Sequence, residues 1–178
     1  MSYVLAFAGS NSSVSINYKL VKYTASLLKG QEVKLRDMSK YPFPMYSQDV
    51  ENENGFSNSL VEFKNEITNA KGVIISVNEH NSYPSAYFKN TLDWLSRLDS
   101  KFLADKKILL MATSGGGRGA IGALEVAEKM LSRFQGTVVE SFSLPTYGEN
   151  FDEEKGITNE ELAKVFTAKV DSFEKAIS

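Results

Sequence analysis

Residues 3–17 read YVLAFAGSNSSVSIN: an apolar run, then a turn crowded with serine and asparagine, then the start of an apolar-periodic segment. The unbroken apolar run predicts a strand buried on both faces, as in a parallel sheet. A helix N-terminus leaves about four N–H groups unpaired and carries a partial positive charge. Small hydroxyl side chains let an anion approach those groups and add donors of their own. The stretch therefore predicts a strand, a phosphate-binding turn and a helix start, in that order.

The composition narrows the class of protein. A chain of 178 residues, 42% of them apolar, is most simply one domain spanning 1–178. A net charge of −2 argues against a nucleic-acid partner. We expect no membrane segment and no signal peptide, because the chain has neither a long apolar run nor a basic N-terminal region.

Cysteine and histidine usage excludes several kinds of site. The absence of cysteine excludes disulfides, thiolate metal sites and cysteine nucleophiles, and fits a cytoplasmic protein. His80 is the only histidine, so a histidine-rich metal site is excluded and we expect no metal.

Strands and helices alternate along the whole chain. Apolar runs predict strands at 3–8, 32–37, 72–77, 107–113 and 138–144, and helical spacing predicts helices at 17–29, 56–67, 85–98, 121–134 and 158–177. We expect capping boxes at Ser59-x-x-Glu62 and Thr158-x-x-Glu161, and a core-facing Val165 in the last helix. The long connection 38–54 carries three aromatic residues; it either plugs the core or lines a ligand site.

This alternation predicts an α/β fold with a parallel sheet and helices on both faces. Five strands favour a flavodoxin-like three-layer sandwich with strand order 2-1-3-4-5, the second strand lying at an edge. Ligands of such sheets bind at the carboxyl ends of the strands, near the point where the strand order reverses. Three unusual loops, 9–17, 78–84 and 114–119, follow the first, third and fourth strands, so they should meet at one rim.

The loops limit what could bind at that rim. The first loop lacks the lysine of a P-loop and the Gly-x-Gly-x-x-Gly pattern of a dinucleotide turn. The loop at 114–119, Ser-Gly-Gly-Gly-Arg-Gly, could by itself be only a tight turn required for helix packing. A nucleotide with one phosphate at the first loop and a flat ring near the other two fits better, and flavin mononucleotide (FMN) has that shape.

The three loops carry a family resemblance. Gly9-Ser10-x-x-x-x-Ser15-x-Asn17, Ser82-x-Pro84-x-x-x-x-Lys89-Asn90-x-x-Asp93-Trp94 and the glycine-rich loop at 114–119 resemble, in order, the NADPH-dependent FMN reductase family. The resemblance implies a flavodoxin-like fold, non-covalent FMN, NADPH or NADH as cosubstrate, and a homodimer or homotetramer. It implies small-molecule electron acceptors: quinones, flavins, azo dyes and metal oxyanions such as chromate.

The resemblance also implies where the cofactor contacts lie. Ser10, Ser15 and Asn17 would hold the phosphate, the 81–83 backbone would lie along the ring, and Ser114, Gly115 and Gly116 would meet its pyrimidine side. Ser12 stands where the family commonly has arginine, and residues 77–80 read VNEH where it has Pro-Glu-Tyr-Asn. The predicted cofactor-binding set is Ser10, Ser12, Ser15, Ile16, Asn17, His80, Asn81, Ser82, Tyr83, Ser114, Gly115 and Gly116.

Two functions follow from this site. The first is an FMN-dependent NAD(P)H oxidoreductase that works by ping-pong hydride transfer through flavin N5 and needs no catalytic side chain. The alternative is a flavodoxin-type electron carrier without its own NAD(P)H oxidation; such carriers are typically more acidic than this chain. Several residues could also have simpler roles. The loop serines could cap a helix, and His80 could contact the ring. Arg118 could be a solvated cation, and Lys89 could pair with Asp93 within a helix.

Overall fold

A computed structural model describes residues 3–178 of the protein, and a parallel five-stranded sheet forms its centre. The strands are β1 Val4–Ala8, β2 Val33–Arg36, β3 Gly72–Val77, β4 Lys107–Thr113 and β5 Thr137–Leu144. Their order is β2-β1-β3-β4-β5, and every neighbouring pair is parallel. This order confirms the predicted flavodoxin-like arrangement, with β2 at an edge.

Helices cover both faces of the sheet. They are α1 Ile16–Leu27, α2 Gln48–Asn54, α3 Asn58–Asn69, α4 Ala86–Leu98, α5 Ile121–Arg133, α6 Tyr147–Asn150 and α7 Glu160–Ala176. Residues of α1 and α7 share one core cluster with alternate strand residues, and residues of α3, α4 and α5 share the other. Among residues 3–178, no helix is long and apolar enough to cross a bilayer.

Strand β1 shows why the apolar runs are continuous. Leu5 and Phe7 belong to the core cluster on the α3–α5 side, whereas Val4, Ala6 and Ala8 belong to the cluster on the α1 and α7 side. Successive side chains of a strand point to opposite faces, so a strand covered on both faces needs an apolar residue at each position.

Several local predictions are wrong. Helix α3 is capped by Ser57, whose hydroxyl oxygen accepts from the Leu60 N–H, and not by Ser59. Helix α7 is likewise capped by Asn159 in place of Thr158. Val165 is 49% exposed on the outer side of α7 and does not face the core.

The predicted loop 38–54 is partly helical. It contains a short 3₁₀ helix, Met38–Lys40, followed by extended chain and then α2. Helix α2 has no buried residue, so it lacks the apolar periodicity by which a helix is recognised in a sequence. Its start is fixed by the Ser47 hydroxyl, which accepts from the Val50 N–H.

Candidate functional site

The start of α1 offers two free backbone donors. Ser15 is the N-cap, and its hydroxyl oxygen accepts from the Tyr18 N–H at 3.2 Å. This contact satisfies one of the four N–H groups that a helix start leaves open. Within residues 3–178, the N–H groups of Ile16 and Asn17 have no hydrogen-bond acceptor. An anion placed before α1 would therefore meet two N–H groups and the positive end of the helix dipole.

Two serines shape the loop that leads into α1. The Ser10 hydroxyl oxygen accepts from the Ser12 N–H, and the Ser12 hydroxyl oxygen accepts from the Val14 N–H, both at 3.3 Å. Each hydroxyl keeps its own hydrogen to donate. Residues 9–15 include no lysine or arginine. The loop thus presents neutral donors alone.

Asn17 has a structural role that its sequence pattern did not reveal. Its side chain is buried, its amide nitrogen donates to the Thr113 carbonyl at 3.1 Å, and its amide oxygen accepts from the Thr113 N–H at 3.0 Å. The same oxygen accepts from the Ser76 hydroxyl at 2.7 Å. These bonds tie α1 to the ends of β3 and β4. These bonds use one of the two amide hydrogens of Asn17, and its backbone N–H has no acceptor within residues 3–178, so a phosphate contact of Asn17 stays a prediction beside this structural role.

A cavity of about 420 Å³ lies at the rim beside the first loop. It brings together Ser10, Ser12 and His80 of the predicted set. Asn11 of the first loop also lines it, and its other walls come from segment 41–47, from the chain after β3 and from the start of α4: Phe43, Met45, Asn78, Ser85, Ala86, Tyr87 and Asn90. The glycine loop at 114–119 does not line this cavity. No carboxylate is among the lining residues, which suits a negatively charged ligand.

Helix α4 holds segment 41–47 against the cavity. The Asn90 amide oxygen accepts from the Tyr46 N–H at 2.7 Å, and the Trp94 indole N–H donates to the Pro44 carbonyl at 2.8 Å. The segment therefore both covers the core and lines the cavity, through Phe43 and Met45. Asn90 and Trp94 are one helical turn apart. In the sequence, that spacing already indicated that both side chains lie on the same face of the helix.

Besides its hydrogen bond to Pro44, Trp94 is buried in the core. Lys89 resolves an alternative that the sequence left open. It forms an ion pair with Asp93 within the helix, at 2.5 Å.

Tyr87 makes the same segment sensitive to alkaline pH. Its hydroxyl donates to the Tyr41 carbonyl at 2.7 Å and shares that hydrogen with the Met38 carbonyl at 3.1 Å, and burial raises its pKa to about 12. Because the folded-state pKa lies above the ordinary value, this stabilisation should be complete below pH 10 and lost between pH 10 and about 12. We expect the free energy of unfolding of Tyr87→Phe to fall less steeply with rising pH than that of the wild type, because the variant lacks the hydroxyl that ionises. Urea unfolding at pH 8 to 11 measures this difference.

A control variant tests that assignment. Tyr83→Phe removes the hydroxyl of a tyrosine that is 64% exposed and should leave the alkaline profile as it is in the wild type. An identical change in both variants would show that Tyr87 has no special part in the alkaline transition.

The loop after β3 is a short hairpin. Glu79–His80 pairs with Tyr83–Pro84, and the turn residues Asn81 and Ser82 both have left-handed φ, at 52° and 65°. Positive φ at both central residues is the mark of a tight hairpin turn, although serine adopts it at a cost.

His80 belongs to the first strand of this hairpin and lines the cavity. It is exposed, and its Nε2 lies 3.3 Å from the Asn78 amide nitrogen. Within residues 3–178 no carboxylate hydrogen-bonds to His80, so the ring lacks the orienting partner typical of a general base. A contact to a bound ring stays the prediction for His80.

The glycine loop after β4 is tied down through its carbonyl groups. The Ser114 carbonyl accepts from the Tyr147 N–H, and the Gly116 carbonyl accepts from the Thr146 N–H, both at 3.0 Å. In the part of the chain that the structure describes, the N–H groups of Gly115 and Gly116 have no acceptor. The loop therefore has two donors free for a ligand, and a contact of Ser114, Gly115 and Gly116 to the polar edge of a flat ring stays a prediction.

Only Gly119 of this loop has a positive φ, of 59°. A Cβ there would lie 2.4 Å from the Ser143 hydroxyl and 2.9 Å from the carbonyl carbon of Leu144. Glycine is thus required at the end of the loop, where the chain passes close to β5. A Cβ at Gly115 or Gly117 would meet no atom within 4 Å, so packing does not require glycine at these two positions.

Comparison with known proteins agrees with this geometry. The model of the NADPH-dependent FMN reductase family matches residues 2–149. The chain is 31% identical over 120 residues to a quinone reductase of Escherichia coli K12, covering 62% of this chain and 64% of that protein. An NADPH:quinone oxidoreductase of Arabidopsis thaliana is 30% identical over 120 residues, covering 65% of this chain and 60% of that protein. The matches thus span less than two thirds of each relative.

A solved structure extends the likeness to the whole chain. FerB, described as a flavoenzyme NAD(P)H:(acceptor) oxidoreductase from Paracoccus denitrificans, superimposes with a TM-score of 0.79 at 25% identity. The superposition covers 99% of this chain and 97% of FerB. Together with the family match over residues 2–149, this places the chain in the NADPH-dependent FMN reductase family.

Proposed function

We propose that the protein is an FMN-dependent NAD(P)H oxidoreductase that reduces small-molecule acceptors by a ping-pong mechanism. The observation that carries the proposal is the set of free backbone donors at two places on one rim. Ile16 and Asn17 offer N–H groups at the start of α1, and Gly115 and Gly116 offer them in the glycine loop. A ligand with a phosphate at one end and a flat polar edge at the other would satisfy both.

The residues present fit FMN. The phosphate would meet the α1 N–H groups and the hydroxyls of Ser10, Ser12 and Ser15. The polar edge of the ring would meet the Gly115 and Gly116 N–H groups. A Cβ built at Gly115 would meet no atom within 4 Å, so the chain leaves space on that side of the loop.

The protein's part in the reaction is to bind and orient. FMN, when bound, supplies the chemistry by taking a hydride at N5 from NADPH or NADH and passing electrons to an acceptor. The glycine-loop N–H groups would stabilise negative charge at the polar edge of the ring. The hairpin would back the ring, and Phe43 and Met45 would give an acceptor an apolar surface.

The acceptor class is proposed from the cavity and from the relatives. A flat, partly apolar acceptor suits a wall that contains Phe43 and Met45. Quinone, flavin, azo and metal-oxyanion acceptors are the candidates, and relatives bear names such as quinone reductase and NADPH azoreductase. We further propose one FMN-binding domain over 1–178, a homodimer or homotetramer, and a cytoplasmic location.

The absorbance spectrum of the purified protein tests the function first. We expect flavin bands after FMN is added and the excess removed, bleaching on anaerobic addition of NADPH or NADH, and steady consumption of the donor with a quinone. A protein that takes up no FMN would contradict the proposal. A protein that takes up FMN but does not oxidise NADPH or NADH would instead be the electron carrier.

A further inference from the structure

Helix α5 begins without a cap of its own. The residue at its N-cap position is Ala120, which has left-handed φ and no side chain that can accept a hydrogen bond. The cap comes from the distant hairpin, because the Glu79 carboxylate accepts from the Ala123 N–H at 3.0 Å. A carboxylate at a helix start also interacts favourably with the helix dipole.

Gly122 lets the hairpin approach this helix start. A Cβ at Gly122 would lie 2.8 Å from the Ser82 carbonyl oxygen and 3.2 Å from the Glu79 carboxylate. The first of these neighbours is backbone, so the hairpin as a whole would have to move. The Glu79–Ala123 hydrogen bond and the Ser82–Gly122 approach together form what we call the hairpin–helix contact.

The contact joins two parts of the rim that are far apart in sequence. The hairpin follows β3, whereas α5 follows directly after the glycine loop. Glu79 and Ala123 are 44 positions apart, so the cap cannot form unless hairpin and helix are both in place.

We propose that Glu79 is a positioning residue that sets the spacing between the hairpin and the glycine loop, and so the width of the slot for the FMN ring. The inference rests on the proposed function for its ligand. Two properties of the carboxylate matter: its oxygen holds the geometry, and its negative charge disfavours adding electrons to a nearby ring. Glu79 stands where the resembled motif has tyrosine, so this arrangement is a feature of this chain.

Substitutions separate the two properties. Glu79→Ala and Gly122→Ala break the contact and should weaken FMN binding about tenfold, the effect of one lost hydrogen bond to a charged group. Glu79→Gln keeps an acceptor oxygen and should bind FMN almost as well, but with a more positive midpoint potential. Glu125→Gln removes an exposed carboxylate further along α5 and serves as the matched control, with affinity and potential unchanged.

Three measurements decide the proposal: FMN affinity by fluorescence quenching, midpoint potential by anaerobic spectroelectrochemistry, and amide hydrogen exchange of the FMN-free protein. Faster exchange at Ala123 and in residues 79–84 of Glu79→Ala, together with weaker FMN binding, would support it. Faster exchange at Ala123 with wild-type affinity and potential would overturn it, since Glu79 would then be only a helix cap.

The exchange measurement keeps the two proposals distinct. A wild-type protein that binds no FMN would contradict the proposed function. The positioning role would still be supported if Glu79→Ala loses protection at both Ala123 and the hairpin, because that experiment needs no ligand. Unchanged hairpin exchange in Glu79→Ala would overturn the positioning role whether or not FMN binds.

Discussion

Replacing Asn17 with alanine should lower the free energy of unfolding by about 3–5 kcal/mol, a large effect for a single polar side chain. The substitution leaves the Ser76 hydroxyl and both backbone groups of Thr113 without their partners. Ser76 and Thr113 are 0% and 1% exposed, so water cannot replace the lost hydrogen bonds without entering the core. Urea unfolding followed by circular dichroism measures the change.

Two further variants sharpen this test. Asn11→Ala removes an exposed asparagine from the same loop and should change the free energy of unfolding by less than about 0.5 kcal/mol. Asn17→Asp keeps the acceptor for Ser76 but places a carboxylate against the Thr113 carbonyl, so it should also be strongly destabilising. Equal stability of Asn17→Ala and Asn11→Ala would contradict the structural role of Asn17.

Replacing Ser12 with arginine should tighten FMN binding about ten- to a hundredfold, the range of a charge-assisted hydrogen bond to a phosphate. Residues 9–15 carry no cation, so the phosphate would be held by hydroxyls, backbone N–H groups and the helix end alone. Ser12 is exposed, and its hydroxyl contributes only one 3.3 Å hydrogen bond to the loop. An arginine can therefore be introduced there without disturbing the core.

The salt dependence of FMN affinity distinguishes a charged contact to the phosphate from a nonspecific effect of the added charge. The gain in Ser12→Arg should shrink as ionic strength rises, because exposed charges are screened within about 8–10 Å at 0.1–0.15 M salt. Ser26→Arg adds the same charge near the other end of α1 and is the matched control; its affinity should equal that of the wild type. Equal tightening by both variants, or none by Ser12→Arg, would contradict the assignment of the phosphate to the first loop.

Among the sequence patterns, long apolar runs predicted the bounds of the central strands most accurately. The bounds of β3 and β4 are those predicted, because in a central strand buried on both faces nearly every position is apolar and the run stands out from the polar loops around it. Helix starts were less reliable. Ser57 and Ser59 are both good caps by residue type, and the register that buries Leu60 and Phe63 decides between them.

The chain's own sequence determined the alternation of strands and helices, the order of the sheet and the meeting of three loops at one rim. These follow from local periodicity and from the rules of parallel sheets, which act the same way in any chain of this pattern. Only the tertiary structure decided what individual polar residues do. The side chain of Asn17 ties α1 to β3 and β4, a role that its residue type did not predict. Glu79 caps a helix that begins about 40 residues later in the chain, at Ile121. The physical reason is that a hydrogen bond depends on which groups the fold brings within about 3 Å, and residue type alone does not fix that.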